Sequence, residues 1–182
     1  MIRAFATGTL VWVGVLSLGV YFYEPAPPKP IALDAVPSYS IKAPVKWHNV
    51  PEYSWASTLE AIRHIETGGL ADGGLGAVGD GGRASGPYQI HAIYHTDAAE
   101  RDSALFSYSE VAYSAAYSER VIYSYMGRYA AESRDRLLEG KGMLVDVETI
   151  ARIHNGGPKG KLKRATLPYW GRVHETLLSH AH

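Results

Sequence analysis

The pattern of apolar and polar positions divides the chain into three parts. An uncharged, mostly apolar run of 19 residues extends from position 5 to position 23. Residues 24–51 contain seven prolines and no sustained apolar period, which predicts an extended spacer because proline removes a backbone donor and restricts the preceding residue. Residues 52–182 show helical periodicity and are numerous enough to bury one core.

The apolar run predicts an N-terminal transmembrane helix over residues 1–23, since at about 1.5 Å per residue it nearly spans a hydrocarbon core of ~30 Å. Arg3 is the only charge before the run, so the domain is expected on the periplasmic or extracytoplasmic side. A cleaved signal peptide is an alternative, but residues 21–23 are bulky aromatics where a small-x-small motif is expected. The run contains several glycines, which leaves later release from the membrane open. A buried core helix fits the length and polar flanks less well.

The first predicted element of the folded domain is a helix over residues 57–67, with the sequence STLEAIRHIET. Ser57 followed by Glu60 fits a capping box, and the glycine at position 68 provides a left-handed stop. Leu59 and Ile62 define the apolar stripe of this helix.

Glu66 falls within that stripe, in the last helical turn. Partial desolvation and the negative end of the helix dipole both raise the pKa of a carboxyl group there. A carboxyl that stays protonated near neutral pH is what a general acid requires. Pairing with a buried arginine, or access to water at the edge of the stripe, would explain the same position without catalysis.

A glycine-rich segment follows, with glycine at nine of the nineteen positions 68–86. Its first part fits a flexible loop. Val78, Tyr88 and Ile90 flank a Gly-Asp-Gly-Gly turn, which predicts a small β-hairpin that presents Asp80 beside a cleft. Glu66 and Asp80 would then provide the two carboxylates of a glycosidase, although spacing alone does not show that they face each other.

The remainder of the domain has the period of helices. Apolar side chains recur at helical spacing over residues 105–129, with Gly127 expected to kink or divide the helix. Asp146 is expected to cap the next helix, which an Asn-Gly-Gly-Pro sequence ends. His154 is then either a helix-end histidine favoured by the dipole or a residue of the cleft.

Charge and composition exclude several classes of function. The chain has 18 Lys and Arg, 18 Asp and Glu, and no cysteine, so nucleic acid is not expected as a partner, and disulfides, thiolate metal sites and thiol nucleophiles are excluded. No HExxH, GxSxG or GxxxxGK[ST] motif occurs, and no metal or cofactor is expected. One local basic run contains Lys159, Lys161, Lys163 and Arg164. It is either a solvated loop or a contact for anionic wall polymers or lipid headgroups.

Several sequence blocks carry a resemblance to a known family. The chain resembles the invertebrate-type (destabilase) lysozymes of the lysozyme-like superfamily in five blocks that occur in the same order. These blocks are AIRHIETGG, GDGGRASGPYQI, AIYHTDA, IARIHNGGPKG and LPYWGRV. The pattern from Gly79 to Gln89 is also similar to goose-type lysozymes, and Glu66-Thr67-Gly68-Gly69 is similar to the Glu-Ser-Gly start of lytic transglycosylases. The animal members are rich in cysteine, so its absence here suggests a bacterial or bacteriophage branch.

The resemblance implies an α+β, mainly α-helical, lysozyme-like domain with a small β-hairpin, over residues 52–182. It implies Glu66 and Asp80 as catalytic residues. It also implies a sugar-binding cleft lined by Ser85, Gly86, Tyr88, Gln89, Tyr94, His154, Asn155 and Gly156.

The function implied is that of a lysozyme, a muramidase that cleaves the glycan strand of peptidoglycan, with Glu66 as general acid and Asp80 as nucleophile or base. A role in infection or host lysis by a phage is expected by analogy. One alternative is a lytic transglycosylase with a single catalytic glutamate. Another is a non-catalytic peptidoglycan-binding protein of a virion. The oligomeric state is left open.

Overall fold

A computed structural model describes residues 53–180. The predicted anchor and spacer lie outside the described residues. Within this part the chain forms helices around a small antiparallel sheet. The helices are α1 (Trp55–Thr67), α2 (Ala92–Ala99), α3 (Glu110–Tyr113), α4 (Ala115–Tyr129), α5 (Ala131–Leu138), α6 (Leu144–Gly156) and α7 (Leu167–His180), with 3₁₀ turns at Asp80–Gly82, Gly160–Leu162 and Arg164–Thr166. Over residues 53–180, no helix combines the length and apolarity that crossing a membrane requires.

The core lies where α1, α4, α6 and α7 pack together. Ile62 of α1, Val121 of α4, Ile150 of α6 and Val173 of α7 are completely buried. Each contributes about 1.5–3 kcal/mol relative to an exposed side chain. The mainly helical α+β class with a small sheet agrees with the expectation from sequence.

Helix α1 begins two residues earlier than predicted. Ser54, not Ser57, is the N-cap: its hydroxyl accepts from the Ser57 N–H at 3.1 Å, and the Ser57 hydroxyl accepts from the Ser54 N–H at 3.0 Å. Glu60 forms an ion pair with Arg63 instead of capping. The helix ends at Gly68, in left-handed conformation, as the sequence predicted.

The predicted hairpin is present and gains a third strand. Strands β1 (Val78–Gly79), β2 (Ala84–Ser85) and β3 (Ile90–His91) pair antiparallel in that order. The link between β2 and β3 passes close to α3. A Cβ atom at Gly86 would lie 2.0 Å from the Val111 carbonyl oxygen, so a glycine is required at this contact.

Two expectations for the helical part are wrong in detail. The helix expected over residues 105–129 is interrupted at Ser114, whose hydroxyl caps α4 by accepting from the Tyr117 N–H at 3.1 Å. Gly127 lies inside α4, so it does not divide the helix, which ends at Tyr129.

Asp146 is the third residue of α6 and not its N-cap, and its side chain caps the helix by accepting a hydrogen bond from the backbone of the N-cap residue. The N-cap is Met143, whose N–H donates to the Asp146 carboxylate at 2.9 Å. The buried carboxylate also pairs with Arg136, whose Nε donates to it at 3.0 Å. The Arg136 guanidinium holds the pKa of Asp146 below its usual value.

Candidate active site

Glu66 occupies the last turn of α1, with its side chain 18% exposed. The buried Tyr169 of α7 donates its hydroxyl proton to the Glu66 Oε1 atom at 2.7 Å. His154 of α6 approaches the same oxygen, with its Nε2 atom 3.8 Å away. Three helices of the core therefore meet at this carboxyl group.

The environment of Glu66 favours its protonated form. Burial raises the pKa of Glu66, whereas the Tyr169 hydrogen bond and the positive charge of Arg172 lower it, and the net direction is upward. A raised pKa combined with partial access to solvent suits a group that donates a proton to a bound substrate.

His154 is a neutral imidazole at the inner wall of the site. Its side chain is 4% exposed, and burial lowers its pKa to about 4. Its Nε2 atom lies 3.1 Å from the Tyr88 carbonyl oxygen, which only accepts, so Nε2 carries the proton. The buried Nδ1 atom has no hydrogen-bond partner within the part of the chain that the structure describes.

Asp80 lies at the tip of the hairpin between β1 and β2, with its side chain 45% exposed. Arg83 donates to one carboxylate oxygen at 2.7 Å, and the Nε2 atom of His91 is 3.5 Å from the other. Its backbone φ of 48° is left-handed. An exposed carboxylate at a tight turn is accessible to a substrate and to water.

A histidine lies beside each of the two carboxylates. His154 lies beside Glu66, and His91 lies beside Asp80. Burial is the main cause of the low pKa of His154, and His91 lowers it further. The sequence predicted both carboxylates and His154, but not His91.

Gln89 and Asp80 are the two non-glycine residues with positive φ between residues 53 and 180. The Gln89 amide donates to the Gly86 carbonyl at 2.9 Å, and its side chain covers Gly79, where a Cβ atom would lie 2.0 Å from the amide oxygen. Backbone conformations of this kind are held by their surroundings and concentrate at functional sites. Ser85 is half-buried on β2, beside this loop.

Tyr88 and Tyr94, two predicted cleft residues, have their rings in the core. Tyr88 is 1% exposed and donates its hydroxyl proton to Glu119 at 2.8 Å. Tyr94 is 8% exposed and stacks on Tyr125 with 3.6 Å between ring centroids. These rings support the walls of the site and leave almost no surface for a sugar. By contrast, Asn155 is exposed at the end of α6.

The substrate-binding roles of Ser85, Gly86, Tyr88, Gln89, Tyr94, His154, Asn155 and Gly156 stay predictions.

Sequence reasoning missed Tyr169 and Glu119. Tyr169 is 103 residues from Glu66, and a local pattern contains no information on such a contact. Glu119 lies within a run of buried α4 residues. Its position on an otherwise apolar helix face is the sequence feature that could have identified it as a buried carboxyl group. Burial raises the pKa of Glu119 to about 7.

The chain matches a known protein family over more than half of its length. Residues 72–176 match the Destabilase family. The chain therefore belongs to the Destabilase family. The matched range contains Asp80 and His154 and begins after Glu66.

Lysozymes of bivalve molluscs are similar to this chain. The "Lysozyme" of Magallana gigas is 32% identical over 90 residues, covering 50% of this chain and 58% of that protein. The "Lysozyme" of Meretrix lusoria is 32% identical over 93 residues, covering 51% of this chain and 67% of that protein. The matches thus span only part of these relatives.

Solved structures show the same fold. The crystal structure of Tapes japonica lysozyme matches with a TM-score of 0.50 and 28% identity, covering 65% of this chain and 87% of that one. A chain in the crystal structure of Aeromonas hydrophila PliI in complex with Meretrix lusoria lysozyme matches with the same TM-score and identity, covering 68% and 90%.

Proposed function

We propose that this protein is a lysozyme-type glycoside hydrolase that cleaves the glycan strand of peptidoglycan. The observation that carries the proposal is Glu66, a shielded carboxyl group with a raised pKa and a hydrogen bond from Tyr169. Membership of the Destabilase family and the similarity to mollusc lysozymes support the same reaction class.

In the proposed reaction, Glu66 donates its proton to the glycosidic oxygen as the bond from that oxygen to the sugar C1 breaks. Asp80 then either bonds to C1 as a nucleophile or takes a proton from the water that attacks C1. Water supplies the hydroxyl group of the new reducing end. The Nε2 atom of His154, the ring nitrogen nearest Glu66, already carries a proton and therefore does not accept the proton of Glu66.

The exposure of Asp80 favours one alternative function, that of a lytic transglycosylase with a single catalytic glutamate. Its carboxylate is 45% exposed and paired with Arg83, an environment also compatible with a structural turn. In that case Glu66 would act alone as acid and then base, and a hydroxyl group of the sugar would attack C1 in place of water. The products would then carry anhydro ends, which distinguishes a lytic transglycosylase from a hydrolase.

The test of the proposed function is digestion of purified peptidoglycan by the full-length chain, with mass spectrometry of the products. Reducing ends are expected, and Glu66→Gln should lower the rate by about 10²- to 10⁴-fold, because the amide has no acid proton to donate. Glu60→Gln is the matched control, since Glu60 belongs to the same helix and pairs with Arg63.

The control should retain wild-type activity. Activity of Glu66→Gln within twofold of wild type, in a protein that melts normally, would remove Glu66 from the mechanism. If the wild-type chain leaves no clearing in a peptidoglycan zymogram, the proposal of an enzyme is wrong, and a peptidoglycan-binding protein without catalytic activity becomes the better assignment.

A further inference from the structure

The part of the chain that follows the site has an unbalanced positive charge. Between Glu148 and Glu175 the sequence has no acidic residue, in a chain whose formal net charge is zero. The basic residues in this interval are Arg152, Lys159, Lys161, Lys163, Arg164 and Arg172. We refer to residues 159–164 as the basic loop.

The cations of the basic loop differ from those in the rest of the domain. With the exception of Arg101, every Lys and Arg from Arg63 to Arg152 forms an ion pair with a carboxylate. Among residues 53–180, no carboxylate pairs with a cation of the basic loop, and all four of its cations are exposed. Their charge is thus available to an external anion.

The basic loop adjoins two of the helices that form the site. On one side, Lys163 donates to the carbonyl oxygen of Gly156 at 2.5 Å, two residues after His154. On the other side, the chain continues into α7, where Tyr169 bonds Glu66. The loop therefore packs against α6 and α7, the helices that carry His154 and Tyr169.

The backbone of the loop is held firmly in place. Gly160 is buried, and a Cβ atom there would lie 1.9 Å from the Arg152 carbonyl oxygen. Arg152 also donates to the hydroxyl oxygen of the buried Thr166 at 3.0 Å, and that hydroxyl lies 2.9 Å from the Gly160 carbonyl oxygen. A backbone held in this way fixes the points from which the four side chains extend, so binding does not have to order the loop itself.

We propose that the basic loop binds the carboxylates of the peptide stems of peptidoglycan while the glycan strand lies at Glu66. This rests on the proposed function. The stems are joined to alternate sugars of the same strand, so a strand in the cleft brings their carboxylates to its wall. The loop would make the protein prefer stem-bearing glycan over glycan whose carboxylates have been neutralised.

The test measures binding to two forms of Gram-negative sacculi, which contain no teichoic acid. One form is native, and in the other the carboxylates are converted to amides by carbodiimide and ethanolamine. The test variant is Lys161→Gln/Arg164→Gln. The matched control, Arg101→Gln/Lys141→Gln, removes the same charge from exposed positions elsewhere. The parent protein is the full-length chain with Glu66→Gln, and each double variant is made in this parent. Co-sedimentation then measures binding without cleavage.

The test variant should bind native sacculi about three- to tenfold more weakly than the parent at low salt. On amidated sacculi the variant and the parent should bind equally, and near 1 M salt, where the Debye length is about 3 Å, the difference should disappear. The control should bind both forms like the parent.

Equal binding of the variant and the parent to native sacculi would overturn the inference. An equal loss on both forms, or the same loss in the control, would overturn it too. Cleavage by the chain with an intact Glu66 is measured separately, so failure of this inference leaves the proposed hydrolase standing.

Discussion

The protonation of Glu66 depends on side chains that come from other elements. Burial raises its pKa, and the hydrogen bond from Tyr169 is the largest opposing influence, followed by the charge of Arg172. The hydrogen bond also fixes the orientation of the carboxyl group. Tyr169 is therefore expected to set both the geometry of the acid and the pH at which it loses its proton.

We predict that Tyr169→Phe lowers the rate and moves the alkaline limb of the pH–rate profile to higher pH. The hydroxyl group stabilises ionised Glu66, so its removal raises the pKa of Glu66 and keeps the acid protonated at higher pH. The measurement is kcat/KM on peptidoglycan across the pH range. Tyr129→Phe, which loses a hydrogen bond to Asp97 instead, is the control, and an alkaline limb that stays in place or moves to lower pH would contradict the assignment.

We predict that Asp80→Asn lowers the rate by about 10²-fold or more, because an amide neither captures the sugar at C1 nor activates water. Asparagine tolerates left-handed backbone, so the turn at Asp80 should remain folded. Asp72→Asn is the control. It lies in the preceding loop, and its side-chain oxygen accepts from the Gly74 N–H. A mild effect together with anhydro products would identify a transglycosylase.

Helix α4 contributes a second buried carboxyl group that supports the loop between β2 and β3. Glu119 accepts the hydroxyl proton of Tyr88 at 2.8 Å, and the carbonyl oxygen of Tyr88 in turn lies beside His154. Burial raises the pKa of Glu119 to about 7. This helix is thereby linked to the wall of the site through one tyrosine.

The raised pKa of Glu119 predicts that stability falls as the pH rises. Between pH 4.5 and about 7 the unfolded chain loses this proton while the folded chain keeps it, so the free energy of unfolding decreases by up to ~3 kcal/mol. Glu119→Gln should reduce the difference in Tm between pH 5 and pH 8. Glu110→Gln, at an exposed position, should retain the wild-type difference. An unchanged difference in Glu119→Gln would show that Glu119 does not titrate in this range.

Local sequence rules predicted the elements better than their exact boundaries. The end of α1 at Gly68 was predicted because a glycine stop is a local signal. Its start was misplaced because Ser54 and Ser57 both satisfy capping rules. The buried Trp55, whose ring meets Tyr123 edge-on at 6.5 Å, favours the earlier start, and that contact joins distant parts of the chain. The same limit explains why Glu66 was found from helical periodicity and Tyr169 was not.

The domain has no cysteine, and two ion pairs with inaccessible carboxylates join elements of its structure. Asp102, after α2, pairs with Arg120 of α4, and the Arg120 Nε donates at 2.5 Å with both side chains nearly inaccessible. Asp146 and Arg136 join α5 to the start of α6. Removal of the arginine from either pair is expected to cost about 3–5 kcal/mol, because the carboxylate left behind stays buried.

At the level of the complete chain, we propose that residues 1–23 anchor the domain to a membrane and that residues 24–51 hold it at a distance. The support is the uncharged run after Arg3 and the proline-rich composition. The full-length chain is expected in the membrane fraction of expressing cells, with the domain accessible to protease only from the periplasmic side. A soluble product that begins after residue 23 would show a cleaved signal instead. A role in phage infection or lysis also stays a prediction.

The contact between Glu66 and Tyr169 has a consequence for the order in which the protein is made. A ribosome adds about 5–20 residues per second, so the 103 residues between the two partners take roughly 5–20 s to translate. During this interval the glutamate is already part of the chain, whereas the tyrosine that orients it has not been added. The acid is assembled only when α7 docks, so a nascent chain that has not yet produced α7 carries an incomplete site.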